Sequence, residues 1–269
     1  ISGFANSAIW LIVGAFLFSR GFIKTGLGKR IAYNLIAAFG SSSLRLSYAL
    51  ALSDLILAPA TPSNTARVGG VIMPITTSLA KAFGSEPQDG PRKIGSFLMQ
   101  SIYQVNTITS AMFQTSMAGN TLVAALALQS FGIGITWGDW AMAAIVPGII
   151  ALIIMPYFIY KVYPPEIKDA REAQQMIREE LKGLGKMSFQ EWVMLGVFIL
   201  ALVLWATSQF TKLDATTVAF LGISILLATG VLIWDDVKSE KGAWDTLVWM
   251  GTLMGFAGFL SKLGFIKWA

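Results

Sequence analysis

Ser63, Asn64 and Thr65 close the run Ala58-Pro-Ala-Thr-Pro-Ser-Asn-Thr65, which has apolar stretches on either side. Hydroxyl and amide groups gathered in this way can bind a carboxylate firmly enough to select it and weakly enough to release it. If the run joins two half-helices inside a membrane, helix N-termini and unwound carbonyls add places for an anion and a cation together. The same residues also fit an ordinary proline turn in which Ser63 or Asn64 caps the next helix. A second polar group, running from Gln104 through Asn106, Thr107, Thr109 and Ser110 to Gln114, Thr115 and Ser116, interrupts the apolar stretch Ile94 to Phe131. Asn106, Thr107, Thr109 and Ser110 lie near its middle and form a candidate second wall; Ser and Thr can equally bond back to their own helix. Arg67 lies just past the tip, in an apolar arm where a charge costs at least ~2.5 kcal/mol. It either pairs with Asp54 in the opposite arm or attracts an anion directly, and both readings stand at this point. Arg45, at the base of the arm, is placed to snorkel.

Much other chemistry is excluded. The chain has no cysteine and no histidine, which removes disulfides, thiol nucleophiles, imidazole bases and the usual zinc or haem ligands. An intramembrane hydrolase would need a nucleophile with a base, or paired carboxylates, and the apolar runs offer little beyond Asp54. No enzymatic activity is expected. The net charge of +5 sits in loops between apolar runs, where topology signals belong, so it points to orientation in a membrane and not to nucleic acid.

These polar groups must be positioned by membrane helices. Hydrophobic residues make up 55% of the 269 and charged residues only 13%, against about 25% charged in a soluble domain. Apolar runs near the ~20 residues needed to cross a bilayer recur without the alternation of a barrel, so the expected fold is all-α and polytopic. Ile9 to Ile23 is a short apolar run, and the stretch from Lys24 to Phe39 reads as interfacial. Leu44 to Leu57 and Val68 to Phe83 flank the proline-rich tip, Ile94 to Phe131 is one broken crossing restarting near Gly119 and Asn120, and Ala141 to Tyr160 is a plain span. Lys161 to Glu191 is a charged linker carrying a solvated helix, followed by apolar runs Trp192 to Phe210, Thr216 to Trp234 and Leu247 to Leu263. Trp137, Trp140, Trp234 and Trp244 read as interfacial anchors.

Charge sets the orientation. Lys81 to Lys93 holds three basic residues and the linker six, whereas Gln129 to Trp140 holds none; the first two face the cytoplasm and the third faces outward. Residues 44–83 then enter and leave on one side, as a re-entrant hairpin. Gly14, Gly21 and Phe22 recur as Gly251, Gly258 and Phe259, with Gly26 matching Gly264 after a one-residue shift, and the two copies cross in opposite senses. Inverted repeats with broken helices characterise secondary transporters. The expected organisation is a first-repeat region 1–160, a cytoplasmic linker 161–191 and the start of a second, incomplete repeat 192–269; the Ile1 start and the apolar end read as a fragment.

The stretches Ala58-Pro-Ala-Thr-Pro-Ser-Asn-Thr-Ala-Arg67, Gly69-Gly-Val-Ile-Met-Pro74, Gly84-Ser-Glu-Pro87, Ser110-Ala-Met-Phe-Gln-Thr-Ser-Met-Ala-Gly-Asn120 and Tyr163-Pro-Pro-Glu166 resemble the divalent anion:sodium symporter family. They are most similar to bacterial citrate/succinate antiporters and plastidic 2-oxoglutarate/malate translocators. The resemblance implies a dimeric, two-hairpin elevator transporter of C4–C6 di- or tricarboxylates in the inner membrane, with Ser63, Asn64 and Thr65 at the first tip. It places the unwound loop of the next helix near Asn106 and Thr107, and a possible sodium near Ser63, Asn64 and Asn106, with no other cofactor. Sodium-coupled members carry small or hydroxyl residues where this chain has Arg67, whose guanidinium could replace a sodium charge and favour exchange. Sodium-coupled uptake of dicarboxylate or sulfate is the alternative within the class; a structural membrane subunit is the alternative outside it.

Overall fold

Residues 2–268 are described by a computed structural model in which the backbone forms helices and turns, with one isolated bridge between Ser42 and Asp169. Helix α1 (Ser7–Thr25) starts where the Asn6 side chain accepts a hydrogen bond from the Ala8 N–H at 2.9 Å. It is apolar on nearly every face, and Ile9, Ile12, Val13 and Phe18 are fully enclosed. Gly26, at φ 75°, stops it and lets α2 (Leu27–Phe39) begin at once in a new direction. Helix α2 is amphipathic, with Leu27, Ala32, Tyr33 and Ile36 inward and Lys29 and Asn34 outward, as an interfacial helix should be.

The hairpin follows. Its first arm is α3 (Ser43–Leu57); a tight turn through Pro59 leads to the tip, a short α4 (Asn64–Arg67), a π-helical turn at Val68–Ile72 and α5 (Met73–Ala82). The first arm has 15 residues, roughly 22 Å at 1.5 Å per residue. That exceeds half of a ~30 Å hydrocarbon core, so a tip at the midplane requires a tilted arm or a base in the headgroup layer. Both arms pack on α6 (Gly95–Met112).

Hydrogen bonds between the hairpin base and the linker place both hairpin ends on the linker side. The Ser43 N–H donates to the Lys168 carbonyl and the Ala170 N–H to that of Ser41, while Glu166 and Ile167 donate to the carbonyls of Arg92 and Lys93. One extended segment thus stitches the start of the hairpin to the loop that leaves it, which is the geometry of a re-entrant element. The charge pattern implies that this end is cytoplasmic. Cysteines introduced at exposed Asp89 and Lys186 should react with impermeant reagents only from inside, and one at exposed Ser130 only from outside. The absence of native cysteine keeps the background silent; labelling of residues 89 and 186 from opposite sides would remove the hairpin.

Beyond the break described below, α7 (Ala118–Phe131) leads to α8 (Trp137–Val162). Val146, Ile150, Ile153 and Ile154 on α8 are more than half exposed, the stripe expected to meet lipid. In the linker, α9 (Arg171–Gly183) differs from expectation: it docks on α2 instead of standing in solvent. Ala173, Gln174 and Ile177 are buried, and the Ala37 carbonyl accepts from Gln174 Nε2 at 2.9 Å and from the Arg178 guanidinium. Its charges are gathered on one face, leaving an apolar stripe that α2 covers. Arg30 pairs with Glu191 at 2.5 Å, tying α2 to α10 (Phe189–Ala206). A short α11 (Ser208–Thr211), α12 (Ala215–Ala228), α13 (Trp234–Ser239), α14 (Lys241–Lys262) and α15 (Phe265–Trp268) complete the described chain. Phe18, Phe22, Phe198 and Trp205 form the aromatic centre where α1 meets α10. Gly264, at φ 74°, parts α14 from α15 as Gly26 parts α1 from α2.

Candidate functional site

Arg67 organises the region. Its side chain is enclosed, and Nε meets Asp54 Oδ1 at 2.9 Å. Nη1 donates to the carbonyls of Thr61 (3.0 Å) and Ser116 (3.2 Å), and Nη2 to the hydroxyls of Thr109 (3.2 Å) and Ser110 (3.1 Å). All five guanidinium N–H groups therefore have acceptors. The other Asp54 oxygen accepts from the Thr109 hydroxyl and, at 3.4 Å, from Asn106 Nδ2. Of the two readings of Arg67, the geometry shows the ion pair. One side chain joins the first arm, the tip, α6 and the segment beyond α6.

That segment is the break, and it falls later than expected. Asn106 and Thr107 lie inside α6, and the chain unwinds at Phe113–Met117, around a single 3-10 turn at Gln114–Ser116. Lateral pairing explains the difference. Asn106 reaches Asp54, and the Thr107 hydroxyl donates to the Tyr103 carbonyl of its own helix, so neither disturbs the backbone. At the real break the orphaned carbonyls of Ser110 and Phe113 accept from Ser116 Oγ and Asn120 Nδ2, which answers the unpaired helix end. The restart at Ala118 agrees with the reading of Gly119 and Asn120.

Tip and break are joined directly. Thr115 Oγ1 donates to the Pro59 carbonyl at 2.6 Å, and the Ala118 N–H to that of Pro62 at 2.9 Å. Trp137 holds this joint from behind: its indole N–H donates to Thr115 Oγ1 at 2.9 Å, and its ring stacks between Phe113 and Trp205. It is 6% exposed, so it is a packing residue and not the interfacial anchor expected from its place at the end of an apolar run. Sequence reasoning gave no role of this kind to Trp137, and only its contacts reveal one. Trp234, by contrast, is 63% exposed.

Ser63 and Asn64 are half-buried and Thr65 is exposed. Ser63 Oγ accepts from the Ala66 N–H at 3.2 Å, the capping role, and Asn64 Oδ1 accepts from the Thr65 N–H at 3.0 Å. The Asn64 amide nitrogen and the Thr65 hydroxyl donate to no group among the described residues, so the tip presents donors while Arg67 beneath it does not. Gly69 and Gly70 continue this exposed face.

Comparison with known proteins follows the same lines. Residues 1–269 match the family model of the sodium:sulfate symporter transmembrane region. The chain belongs to this family. Its relatives include YflS of Bacillus subtilis (strain 168), 54% identical over 269 residues, covering 100% of this chain and 56% of that protein. The inner membrane protein YbhI of Escherichia coli (strain K12) is 46% identical over 268 residues, covering 100% and 56%. Dicarboxylate transporter 1, chloroplastic, of Spinacia oleracea is 47% identical over 268 residues, covering 99% and 47%. The chain spans about half the length of these curated relatives. Membership in a family of transporters, together with α1, α8 and α10, each long and apolar enough to cross a bilayer, makes this an all-α multi-pass membrane protein and not an enzyme.

Proposed function

We propose that this protein is a secondary transporter of C4–C6 di- and tricarboxylates, such as malate, succinate, 2-oxoglutarate or citrate, working by exchange. The names of the spinach relative and of YflS, which carry the words dicarboxylate and malate, support the substrate class. The observation that carries exchange is the Arg67 guanidinium. Five oxygens converge on it, two of them backbone carbonyls from the tip and the break, a donor set of the kind hard cations take. With the guanidinium and its Asp54 partner filling that oxygen cluster, no sodium has to bind at that place. An elevator movement, a homodimer and a place in the cell inner membrane complete the proposal. They draw on the family resemblance, and the hairpin and broken helix joined through Arg67 suit movement as one body.

The family's description favours a second reading, sodium-coupled uptake of dicarboxylate or sulfate, in which a sodium would lie near Ser63, Asn64 and Asn106. Counterflow separates the two. Proteoliposomes of the full chain, loaded with unlabelled dicarboxylate, are expected to take up labelled dicarboxylate equally well with sodium or with choline. Uptake that stops when sodium is withdrawn would overturn exchange and leave symport at the same hairpin.

A further inference from the structure

The first turn of α8 aims two indoles at the break. Trp137 Nε1 donates to Thr115 Oγ1 at 2.9 Å, and Trp140 Nε1, on the same helix face, donates to the Ala111 carbonyl at 2.9 Å. Helix α6 ends at Met112, so the Ala111 carbonyl is one of those that a helix end leaves without an intrahelical partner. Thr115 passes the contact on to the tip, its hydroxyl donating to the Pro59 carbonyl at 2.6 Å. In a continued helix that carbonyl would meet the Ser63 N–H, but Ser63 is extended (φ −118°, ψ 109°), and Thr115 takes its place. The polarity of this chain is forced. An indole N–H can only donate, so Thr115 accepts from Trp137 and its single proton is left for Pro59. Thr115 is buried. Behind it, Trp205 stacks on the Trp137 ring, donates its own indole N–H to the Ala215 carbonyl of α12 at 3.1 Å and meets Phe18 of α1. The other ties between tip and break, from the Ala118 N–H to Pro62 and from Arg67 to the Ser116 carbonyl, lie within the hairpin and the broken helix; the tie through Thr115 is set from α8.

We propose that Trp137 is a positioning residue for substrate binding: by directing the Thr115 proton onto the Pro59 carbonyl it sets where Ser63, Asn64 and Thr65 stand, while Trp140 holds the end of α6 beside it. The proposal rests on the reading above that the tip binds the carboxylate. Buried hydrogen-bond chains strengthen one another, and binding groups hold their geometry only as well as the residues that support them. Trp137 stands behind the joint and not at the tip, so losing its N–H is felt in affinity and not in turnover.

The test is titration of the purified full chain with succinate, set beside exchange kinetics in proteoliposomes. Trp137→Phe keeps a ring between Phe113 and Trp205 and removes the donor; Thr115→Val keeps the shape and removes the hydroxyl. Each should raise Kd and KM several-fold with the maximal exchange rate unchanged. The two together should do no more than one alone, because they cut the same chain, and Thr115→Ser should bind as the wild type does. Trp205→Phe thins the same stack without touching Thr115, so it should lower the melting temperature and leave Kd alone. Where Trp137→Phe does not fold, a Kd raised in Thr115→Val but not in Thr115→Ser upholds the proposal, and equal Kd values overturn it. Wild-type affinity in Trp137→Phe while Asn64→Ala binds weakly would also overturn it, as would an equal loss of affinity in Trp205→Phe. Wild-type affinity in Asn64→Ala would instead refute the tip as the binding site. Positioning of the tip is then read from amide hydrogen exchange of residues 60–66 without substrate: faster exchange in Trp137→Phe than in Trp205→Phe upholds it, and equal rates overturn it.

Discussion

Arg67→Ala is expected to remove most folded protein from the membrane. The replacement leaves the Asp54 carboxylate enclosed with only Thr109 and Asn106 as donors, and strands the Thr61 and Ser116 carbonyls. Breaking a buried pair from one side costs about 3–5 kcal/mol, a large part of the 5–15 kcal/mol that keeps a domain folded. Asp54→Asn should be milder, because the guanidinium keeps its carbonyl and hydroxyl acceptors. Arg67→Lys should fall between, since an ammonium cannot supply the planar fork of five donors. Joining Arg67→Ala to Asp54→Ala should recover part of the loss by removing the orphaned charge. Size-exclusion yield and melting temperature in detergent, taken as a double-mutant cycle, measure the coupling. Wild-type yield for Arg67→Ala would show that the network does not hold the hairpin to the break. A normal fold with lost exchange would return Arg67 to the anion.

That cycle bears on how much the sequence could reveal. The hairpin was legible because its signals are local and physical. Pro59 and Pro62 forbid a continuous helix, and the basic residues of the loop and the linker set the side on which both arms end. The Arg67–Asp54 pair was legible as one of two alternatives, since intramembrane charges seek each other. The position of the break was not. Asn106 and Thr107 look as disruptive as Thr115 and Ser116 when only residue types are read. What separates them is whether each side chain finds a partner across the helix or must repair its own backbone. Trp137 shows the same limit, because an indole at the end of an apolar run reads as an anchor until Phe113 and Trp205 are seen to enclose it. The contact of α1 with α12 has no local signature, because the two helices lie about two hundred residues apart in the chain, yet the Thr216 hydroxyl donates to the Ser7 carbonyl.

The tip itself is best tested at Asn64. Among the described residues its amide nitrogen donates to nothing, while its oxygen is held by the Thr65 N–H, so the side chain is oriented from one end with donors free at the other. A dicarboxylate bound there would take a hydrogen bond to a charged group, and losing one costs roughly 1.5–3 kcal/mol, or about tenfold to more than a hundredfold in affinity. Asn64→Ala in the full chain is therefore expected to raise the KM for dicarboxylate by that factor while expression and melting temperature stay near wild type. Asn64→Asp keeps the shape but sets a like charge against the anion, and should be worse than alanine. Ser63→Ala provides the contrast. It removes the Oγ that accepts from the Ala66 N–H, so its effect should appear first as a cap loss of about 1 kcal/mol in stability. Isothermal titration with succinate, set beside exchange rates, distinguishes a binding defect from a folding one. Wild-type affinity and flux in Asn64→Ala would take the first hairpin tip out of the site altogether.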